Sequence, residues 1–352
     1  MTVLPNIVVV GGSYVGTNTA KQLAEAFAGR FKVLLIEKNS HFQHLFAFPR
    51  FAVVSQVDTH KAFIPFSPGT FQDCPPGSGA VIQAAVTSIG ATTLQLDRNV
   101  VLDGQPTKSV PFRFIVIATG TKLTPPSTLP GFEKLDGVAY LRKHAQMIVR
   151  SSNIVVIGGG AVGMQMVTDI KEVYPHKSVT LVHSRPTVMN KFDKQLSDIV
   201  LARCEELHID TRLGVRVKMP EQAYPTDGSM FEVELMDGSK VPADFAIICT
   251  GQTPRSDLIR KAYPEAIDEQ GFVRTLKTLQ VAARSTSNVF AVGDVADTGA
   301  HKAARPGGKQ AATVVKNIQH ILNSKALEHY EVTDNPGIHM TLGIVSSDLD
   351  IG

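Results

Sequence analysis

Residues 6–37 read NIVVVGGSYVGTNTAKQLAEAFAGRFKVLLIE, and this stretch decides the fold. Residues 7–10 form a short β-branched run that ends in two glycines, which is typical of a buried parallel strand entering a tight turn. The pattern then predicts a helix to about Gly29 and a second strand over Lys32–Glu37. A strand, a glycine turn, a helix and a strand make a βαβ unit, which indicates a doubly wound α/β sheet.

The turn at 11–16 reads GGSYVG and follows the G-x-G-x-x-G pattern, with Ser13 at the middle glycine. Such a turn lets the backbone approach a pyrophosphate closely, with the phosphates against helix N–H groups. Glu37 ends the next strand, where a carboxylate binds ribose hydroxyls. A glycine turn without a ligand is the alternative, but strand, helix and carboxylate in this order favour dinucleotide binding.

The same order of elements starts again at residue 153. A buried strand over 153–157 is followed by GGGAVG at 158–163, a helix to about Tyr174 and a strand over 179–183. This turn has every glycine of the pattern. The internal repeat therefore predicts a second Rossmann-like, dinucleotide-binding domain.

His183 stands where the second domain would carry its ribose-binding carboxylate, and Arg185 follows shortly after. A cation in place of a carboxylate tolerates or favours a 2′-phosphate. Arg185 as a solvated loop residue is the alternative. We expect NADPH to be used at least as readily as NADH.

The remainder of the first repeat has weaker signals. Residues 41–79 are rich in Phe, Pro and Gly and predict a long irregular segment, and residues 80–110 predict strands and hairpins. A buried strand over Phe114–Ile117 then leads to ATG at 118–120. Residues 124–131 have the composition of a linker.

The second repeat ends in a similar way. A hairpin is predicted with its turn at 237–238, and a strand over Phe245–Ile248 leads to CTG at 249–251. The run VFAVGD at 289–294 is a further strand-to-glycine transition, and a helix is expected over 306–322. An acidic residue at such a transition can hydrogen-bond a polyhydroxyl chain.

These patterns predict an α/β protein with two Rossmann-like domains, of which the first is discontinuous. The first domain is expected to span 1–123 and 252–328, and the second 124–251. Residues 329–352 are expected to begin a truncated C-terminal segment.

Composition excludes several classes of protein. With 352 residues, 43% hydrophobic and 19% charged, the chain is globular and long enough for two domains. A net charge of +3 without a run of Lys or Arg gives no support for a nucleic-acid partner. No apolar stretch is long enough to span a bilayer.

The first strand starts at about Asn6, so we expect no signal peptide before it, and Thr2 argues against N-myristoylation. For these reasons a cytoplasmic location is expected.

The three cysteines, Cys74, Cys204 and Cys249, are scattered. None forms a Cys-x-x-Cys pair, so a metal site, a disulfide framework and a redox dithiol all lack support. Disulfide reductases and sulfide oxidisers of this kind of fold need paired cysteines, and persulfide and peroxide reductases need one after the first βαβ unit. Residues 41–55 contain none, which disfavours those activities.

Taken in order, the motifs resemble the two-dinucleotide-binding flavoproteins. They read IVVVGGSYVG, IEKNSHF, FIVIATG, IVVIGGGAVG, VTLVHS, AIICTG and NVFAVGDVAD. Within that superfamily, EVYPHKSVTLVHS, HFQHLFAFPR and GDVAD are similar to the apoptosis-inducing-factor-like group, which includes the ferroptosis-suppressor (AMID-type) NAD(P)H:quinone oxidoreductases. The similarity extends over about residues 6–345.

The resemblance implies that the first loop binds FAD, with Glu37 on the adenosine ribose, Asp294 on the ribityl chain and Val86 contacting the adenine through its backbone. The second loop would bind NADH or NADPH, and Arg50 and Lys302 would lie close to the flavin. The expected cofactor-binding residues are Gly11, Gly12, Ser13, Gly16, Glu37, Lys38, Arg50, Val86, Ala118, Thr119, Gly120, Gly158, Gly160, Val162, Gly163, His183, Arg185, Gly251, Gly293 and Asp294. The expected catalytic residues are Lys302 and Gln165, and no metal is expected.

The chain departs from this group at three places. Ser13 replaces a glycine, and Gln165 stands where relatives carry a Glu near the nicotinamide, which predicts slower turnover or a different acceptor. Relatives also continue beyond the equivalent of Gly352 into a segment that covers the flavin and contacts membranes. We therefore expect an open acceptor pocket or a missing tail, and peripheral membrane contact is unsupported.

The expected function is an FAD-dependent NAD(P)H dehydrogenase that passes electrons to a quinone-like small molecule, as a monomer or homodimer. One alternative is a flavoenzyme acting on a specific metabolite in a biosynthetic pathway. Another is a redox-sensing signalling flavoprotein with a long-lived reduced complex, which the loss of the carboxylate at Gln165 leaves open.

Overall fold

The structure is a computed structural model that describes residues 4–333, 337–344 and 348–351. The helices are α1 (Tyr14–Ala26), α2 (Phe48–Phe51), α3 (Lys134–Arg150), α4 (Ala161–Val173), α5 (Lys194–Glu206), α6 (Asp257–Ala262) and α7 (Ala304–Leu322). The strands are β1 (Asn6–Val10), β2 (Lys32–Glu37), β3 (His41–Gln43), β4 (Phe63–Pro65), β5 (Gly79–Gln83), β6 (Val86–Ile89), β7 (Thr93–Leu102), β8 (Gln105–Pro111), β9 (Phe114–Ile117), β10 (Thr121–Leu123), β11 (Asn153–Ile157), β12 (Ser178–His183), β13 (Asp210–Leu213), β14 (Phe231–Glu234), β15 (Lys240–Ala243), β16 (Phe245–Ile248), β17 (Gln252–Pro254), β18 (Val273–Arg274), β19 (Val289–Ala291), β20 (Ala296–Asp297), β21 (Ile338–Thr341) and β22 (Asp348–Ile351).

The chain divides into two compact units, each built from separate segments. The first consists of Met1–Phe42, Pro65–Lys122 and Thr253–Asp334, and the second of Gln43–Ile64, Leu123–Gln252 and Asn335–Gly352.

Residues 43–64 therefore belong to the second unit, whereas the sequence placed them in the first domain. The reason is aromatic burial: Phe48 and Phe63 pack with ring centroids 5.2 Å apart. Both lie in the same buried cluster as Val156 of β11. The described residues 337–344 and 348–351 also group with the second unit.

The first unit is built on a five-stranded parallel sheet with the order β19-β9-β1-β2-β5. On one face, Val9 packs in a cluster with Leu23 of α1 and Val314 of α7. On the other face, Val8 packs in a cluster with Leu94 of the antiparallel sheet β6-β7-β8. Because both faces are covered, the central strand β1 is apolar along its length, as a parallel sheet requires.

The second unit repeats this plan on a four-stranded parallel sheet with the order β13-β12-β11-β16. Val156 packs in a cluster with Leu141 of α3 and Met164 of α4. Val155, on the opposite face, packs in a cluster with Val233 of the β14–β15 hairpin. The expected α/β fold with two Rossmann-like halves is confirmed.

Some predicted boundaries differ from the observed ones. The helix α1 ends at Ala26 rather than near Gly29, and Gly29 instead has a φ of +74° in the turn that follows. The helix α7 starts at Ala304, before Pro306, because a proline is tolerated in the first turn, where its missing N–H is not needed. Residues 41–79 contain short strands and helical turns as well as irregular segments.

None of the helices within the described parts of the chain is long and apolar enough to cross a membrane.

Candidate functional site

The first residue of each glycine turn has a positive φ. Gly11 and Gly158 have φ values of +105° and +119°, which only glycine adopts without cost. A Cβ on Gly11 would lie 2.5 Å from the carbonyl oxygen of Ala118, and one on Gly158 would lie 2.5 Å from that of Cys249. Glycine is therefore required at both positions by φ and by space.

The last glycine of each turn allows the helix to pack closely on the turn itself. A Cβ on Gly16 would overlap the carbonyl oxygen of Gly11, and one on Gly163 would overlap that of Gly158. In both units the last glycine is therefore required for close packing of the helix on the turn.

The middle position is different, because its backbone is one that any residue adopts. Ser13 has φ −83° and ψ −165°, and Gly160 has φ −85° and ψ −179°. A Cβ on Gly160 would meet nothing within 4 Å. Glycine is needed here only to leave room for a group that approaches the turn, and both turns therefore fit a dinucleotide pyrophosphate at a helix N-terminus.

Glu37 lies at the end of β2, where the sequence predicted a ribose-binding carboxylate, and is 8% exposed. Its Oε2 accepts a hydrogen bond from Gly12 N at 2.5 Å. Its Oε1 accepts from the backbone N and the Nδ2 of Asn39 at 2.9 and 2.7 Å. The carboxylate thus ties the glycine turn to the end of the neighbouring strand, in addition to any role toward a ribose.

A cavity of about 690 Å³ opens beside this strand end in the first unit. Asn39, Ser40, Phe66 and Gln83 are among its lining residues. Small-molecule sites usually measure about 300–1,000 Å³, so the space suits the adenosine portion of a dinucleotide. Val86, expected near the adenine, begins the next strand β6.

Arg255 is a residue of this region that sequence reasoning missed. Its carbonyl oxygen accepts from Thr119 Oγ1 at 2.7 Å, and its N–H donates to Gly120 O at 2.9 Å. Burial lowers the pKa of Lys38, and the positive charge of Arg255 lowers it further. Two cations, Lys38 and Arg255, thus lie near Glu37, and their charge suits an anionic dinucleotide. In the sequence Arg255 follows Gly251 by four residues, far from Glu37, and only the fold brings it to this region.

Gly293 and Asp294 form a tight turn after β19, and Gly293 has a φ of +72°. Lys302, expected to be catalytic, lies next to this turn: its Nζ donates to Ala296 O at 2.5 Å and lies 4.4 Å from the ring centroid of Phe272. The structure therefore brings Lys302 and Asp294 into one region of the first unit.

His183 occupies in the second unit the place that Glu37 has in the first. Its Nδ1 accepts a hydrogen bond from Gly159 N at 3.1 Å. Since a backbone N–H can only donate, the neutral ring carries its proton on Nε2. That atom is buried near the backbone of Thr187 and makes no hydrogen bond of normal geometry among the described residues. Burial lowers the pKa of His183, and the charge of the exposed Arg185 lowers it further, so the ring is neutral at pH 7.

Other predicted residues of the second unit lie on the same glycine turn or beyond it. Val162 and Gln165 belong to α4, where Gln165 is half-buried. Gly251 has a φ of +75°, matching the +64° of Gly120 in the first unit. The two Thr-Gly motifs therefore make the same kind of turn.

Arg50 has an environment that the sequence did not predict. Its Nε and Nη2 each donate to the buried carboxylate of Asp169 at 3.0 Å. Nη2 also donates to Thr341 Oγ1 at 2.6 Å and to Gly343 O at 2.9 Å. These bonds occupy the guanidinium within the second unit, and its contact with a flavin stays a prediction.

Two parallel α/β units, each with a glycine turn that leaves room for a pyrophosphate, define the class of two-dinucleotide-binding flavoproteins. The family described as "Pyridine nucleotide-disulphide oxidoreductase" matches residues 5–320, and the chain belongs to this family.

Similar proteins agree with this assignment. The chain is 31% identical to Fe-regulated protein 8 of Mycosarcoma maydis, over 96% of this chain and 86% of that protein. It is 30% identical to human (Homo sapiens) ferroptosis suppressor protein 1, over 93% of this chain and 83% of that protein. Among solved structures it matches a NAD-dependent persulfide reductase from A. fulgidus with a TM-score of 0.69 at 19% identity. That match covers 96% of this chain, which spans 62% of the persulfide reductase chain, and it shows the fold alone.

The expected resemblance to the apoptosis-inducing-factor-like and ferroptosis-suppressor group is confirmed. The protein is an oxidoreductase whose cofactors are FAD and a nicotinamide dinucleotide. The assignment of individual residues to each cofactor stays a prediction.

Proposed function

We propose that the chain oxidises NADH or NADPH with FAD in its first unit and passes the electrons to a diffusible, quinone-like small molecule. Bound FAD supplies the chemistry, by accepting a hydride from the nicotinamide and releasing electrons to the acceptor. The chain's own residues bind and orient the two dinucleotides.

The observation that carries the proposal is that the chain's cysteines form no disulfide. Cys74, Cys204 and Cys249 are all free. Burial raises the pKa of Cys204 and of Cys249 to about 12, and it also raises that of Cys74. Within the chain, only a disulfide could take two electrons from a reduced flavin, and none of the three cysteines belongs to one. The electrons must therefore go to an external acceptor.

The placement of FAD in the first unit is supported by the carboxylate at Glu37 and the Gly-Asp turn that ends β19. The placement of the nicotinamide dinucleotide in the second unit is supported by the buried Nε2 of His183, which makes no hydrogen bond of normal geometry among the described residues. The similarity to human ferroptosis suppressor protein 1 supports a small-molecule acceptor of the quinone class.

The test is stopped-flow absorbance of the FAD-loaded protein mixed with NADPH or NADH under anaerobic conditions, followed by a soluble short-chain quinone. We expect the absorbance bands of oxidised flavin to disappear at least as fast as the enzyme turns over. The bands should return when the quinone is added. A reduced flavin that forms a stable complex and is not reoxidised by quinone would contradict the proposal and favour a redox sensor. A Cys74→Ser variant should behave like the wild type.

A further inference from the structure

Gln310 is a buried amide on α7 that the function described above does not use. Its side chain is only 2% exposed. Oε1 accepts a hydrogen bond from Gly293 N at 2.7 Å, and Nε2 donates to Thr298 Oγ1 at 3.1 Å. One side chain therefore holds both ends of residues 293–298, which we call the Gly-Asp loop.

The orientation of this amide is fixed by its partners. Gly293 N–H can only donate, so the oxygen of Gln310 must face it and the NH₂ group must face the hydroxyl of Thr298. The loop enclosed by these two bonds contains Asp294. It also contains Ala296, whose carbonyl oxygen accepts from Lys302 Nζ at 2.5 Å.

A second contact links the same loop to the first glycine turn. A Cβ on Gly293 would lie 3.3 Å from Cβ of Val15, and a Cβ on Gly307 of α7 would overlap the methyl groups of Val15. Val15 belongs to the glycine turn at 11–16. The Gly-Asp loop, α7 and the first glycine turn therefore meet at one valine without space between them.

We propose that Gln310 is a positioning residue that sets the Gly-Asp loop against the first glycine turn and so fixes how FAD is held. The proposal rests on the placement of FAD in the first unit. Without the amide, the partly buried Gly293 N–H would lose its acceptor, and the loop would rotate to find another. Asp294 and Lys302 would move with it, which changes both the affinity for FAD and the electrostatic field at the flavin.

The central variant is Gln310→Met, which keeps the length of the side chain and removes both hydrogen bonds. Gln310→Glu is the second variant: one carboxyl oxygen still accepts from Gly293 N–H, and the other can accept from the hydroxyl of Thr298, although the site then buries a carboxyl group. Thr298→Val is a third variant, which leaves the Gly293 bond and removes the bond from Gln310 Nε2, together with the longer bond of 3.4 Å from Ala300 N.

Asn317→Ala is the matched control. Asn317 is also a fully buried amide on α7, and its Nδ2 donates to the carbonyl oxygens of Thr278 and Glu328, each at 3.0 Å. Its loss removes the same kind of interaction from the same helix without touching the Gly-Asp loop.

Each full-length apoprotein is titrated with FAD to obtain the dissociation constant, and the midpoint potential of the bound flavin is measured by spectroelectrochemistry. We expect Gln310→Met to weaken FAD binding by about tenfold and to shift the potential and the flavin spectrum, as loss of a buried hydrogen bond predicts. Gln310→Glu, which keeps the bond from Gly293 N–H, and Thr298→Val should each weaken FAD binding less than Gln310→Met does. Asn317→Ala should lower the melting temperature without changing the FAD dissociation constant or the potential.

The proposal is overturned if Gln310→Met has the wild-type dissociation constant and potential, or if Asn317→Ala changes both as much as Gln310→Met does. A wild-type protein that binds no FAD at all would overturn the proposed function, and this inference with it. If Gln310→Met does not fold, the comparison of Thr298→Val with Asn317→Ala decides the question by the same two readouts.

Discussion

Ser13 occupies the middle position of the first glycine turn, where room for an approaching ligand, not backbone conformation, favours glycine. Its φ and ψ match those of Gly160 in the second turn, and its hydroxyl makes no capping hydrogen bond to α1. A serine at this place can donate its hydroxyl to a phosphate while costing little room.

Substitution of Ser13 tests this interpretation. Ser13→Gly should bind FAD within about threefold of the wild type, because it loses one hydrogen bond and gains space. Ser13→Val should weaken FAD binding by more than about tenfold, because a branched side chain blocks the phosphate. FAD titration of the apoproteins measures both, and Gly160→Ser in the second turn should leave the FAD affinity unchanged. Equal affinities for Ser13→Val and the wild type would show that no phosphate approaches Ser13.

His183 offers a donor where Glu37 of the first unit offers an acceptor, and this difference predicts coenzyme choice. The Nε2–H of His183 can pair with a hydroxyl or with a phosphate oxygen, whereas a carboxylate repels a 2′-phosphate.

We expect His183→Glu to raise the KM for NADPH by about tenfold or more and to change that for NADH much less, since like charges would meet at the ribose. His183→Gln keeps an acceptor for Gly159 N–H and a donor for the ligand, and should leave the ratio of the two KM values close to that of the wild type. Steady-state kinetics with each coenzyme measure this ratio. The same ratio in His183→Glu and His183→Gln would exclude a role for His183 in coenzyme choice.

At the scale of elements, Arg50 of α2 joins two others in the second unit: α4 through its ion pair with Asp169, and β21 through its hydrogen bond to Thr341. Asp169 is fully buried and Arg50 is 24% exposed, with the bidentate geometry that suits a guanidinium and a carboxylate. Burial raises the pKa of Asp169, and the hydrogen bonds from Arg50 oppose that rise. Such pairs specify geometry more than they add stability, but breaking one leaves a buried charge.

Arg50→Met should therefore lower the free energy of unfolding by about 3 kcal/mol, because Asp169 loses its partner. The double variant Arg50→Met/Asp169→Leu should recover most of that loss, since no charge then remains buried. Urea unfolding of the three proteins, each without added cofactor, gives the values. A double variant no more stable than Arg50→Met would contradict the idea that the unpaired carboxylate causes the loss.

At the scale of the whole molecule, stability depends on pH through a histidine that is not part of either glycine turn. His144 of α3 is 7% exposed, and its Nδ1–H donates to Ala52 O at 2.6 Å. Burial lowers the pKa of His144 from 6.5 to about 4. The folded protein therefore requires the neutral ring, while the unfolded chain takes up a proton below pH 6.5.

This contribution to stability is complete above pH 6.5 and is lost as the pH falls from 6.5 to about 4. The loss amounts to about 3 kcal/mol over that window. Unfolding in urea at a series of pH values measures it. His144→Gln keeps a donor for Ala52 O, and its free energy of unfolding should depend less on pH between 6.5 and about 4. If that pH dependence were unchanged, groups other than His144 would cause it.

The sequence by itself determined both βαβ units. The apolar strands β1 and β11, the glycines that follow them and the helices α1 and α4 are specified by neighbouring residues, since φ and hydrophobic burial act locally. The carboxylate Glu37 and the histidine His183 were found for the same reason, as each ends the strand that follows its turn.

Only the tertiary structure decided which distant residues complete each unit. Arg50 meets Asp169 across 119 positions of sequence, and Gln310 meets Gly293 because α7 packs against the first glycine turn. Residues 43–64 joined the second unit because their aromatic side chains are buried there. Such contacts depend on how side chains from separate segments fill a common core, and no pattern within any one segment encodes that packing.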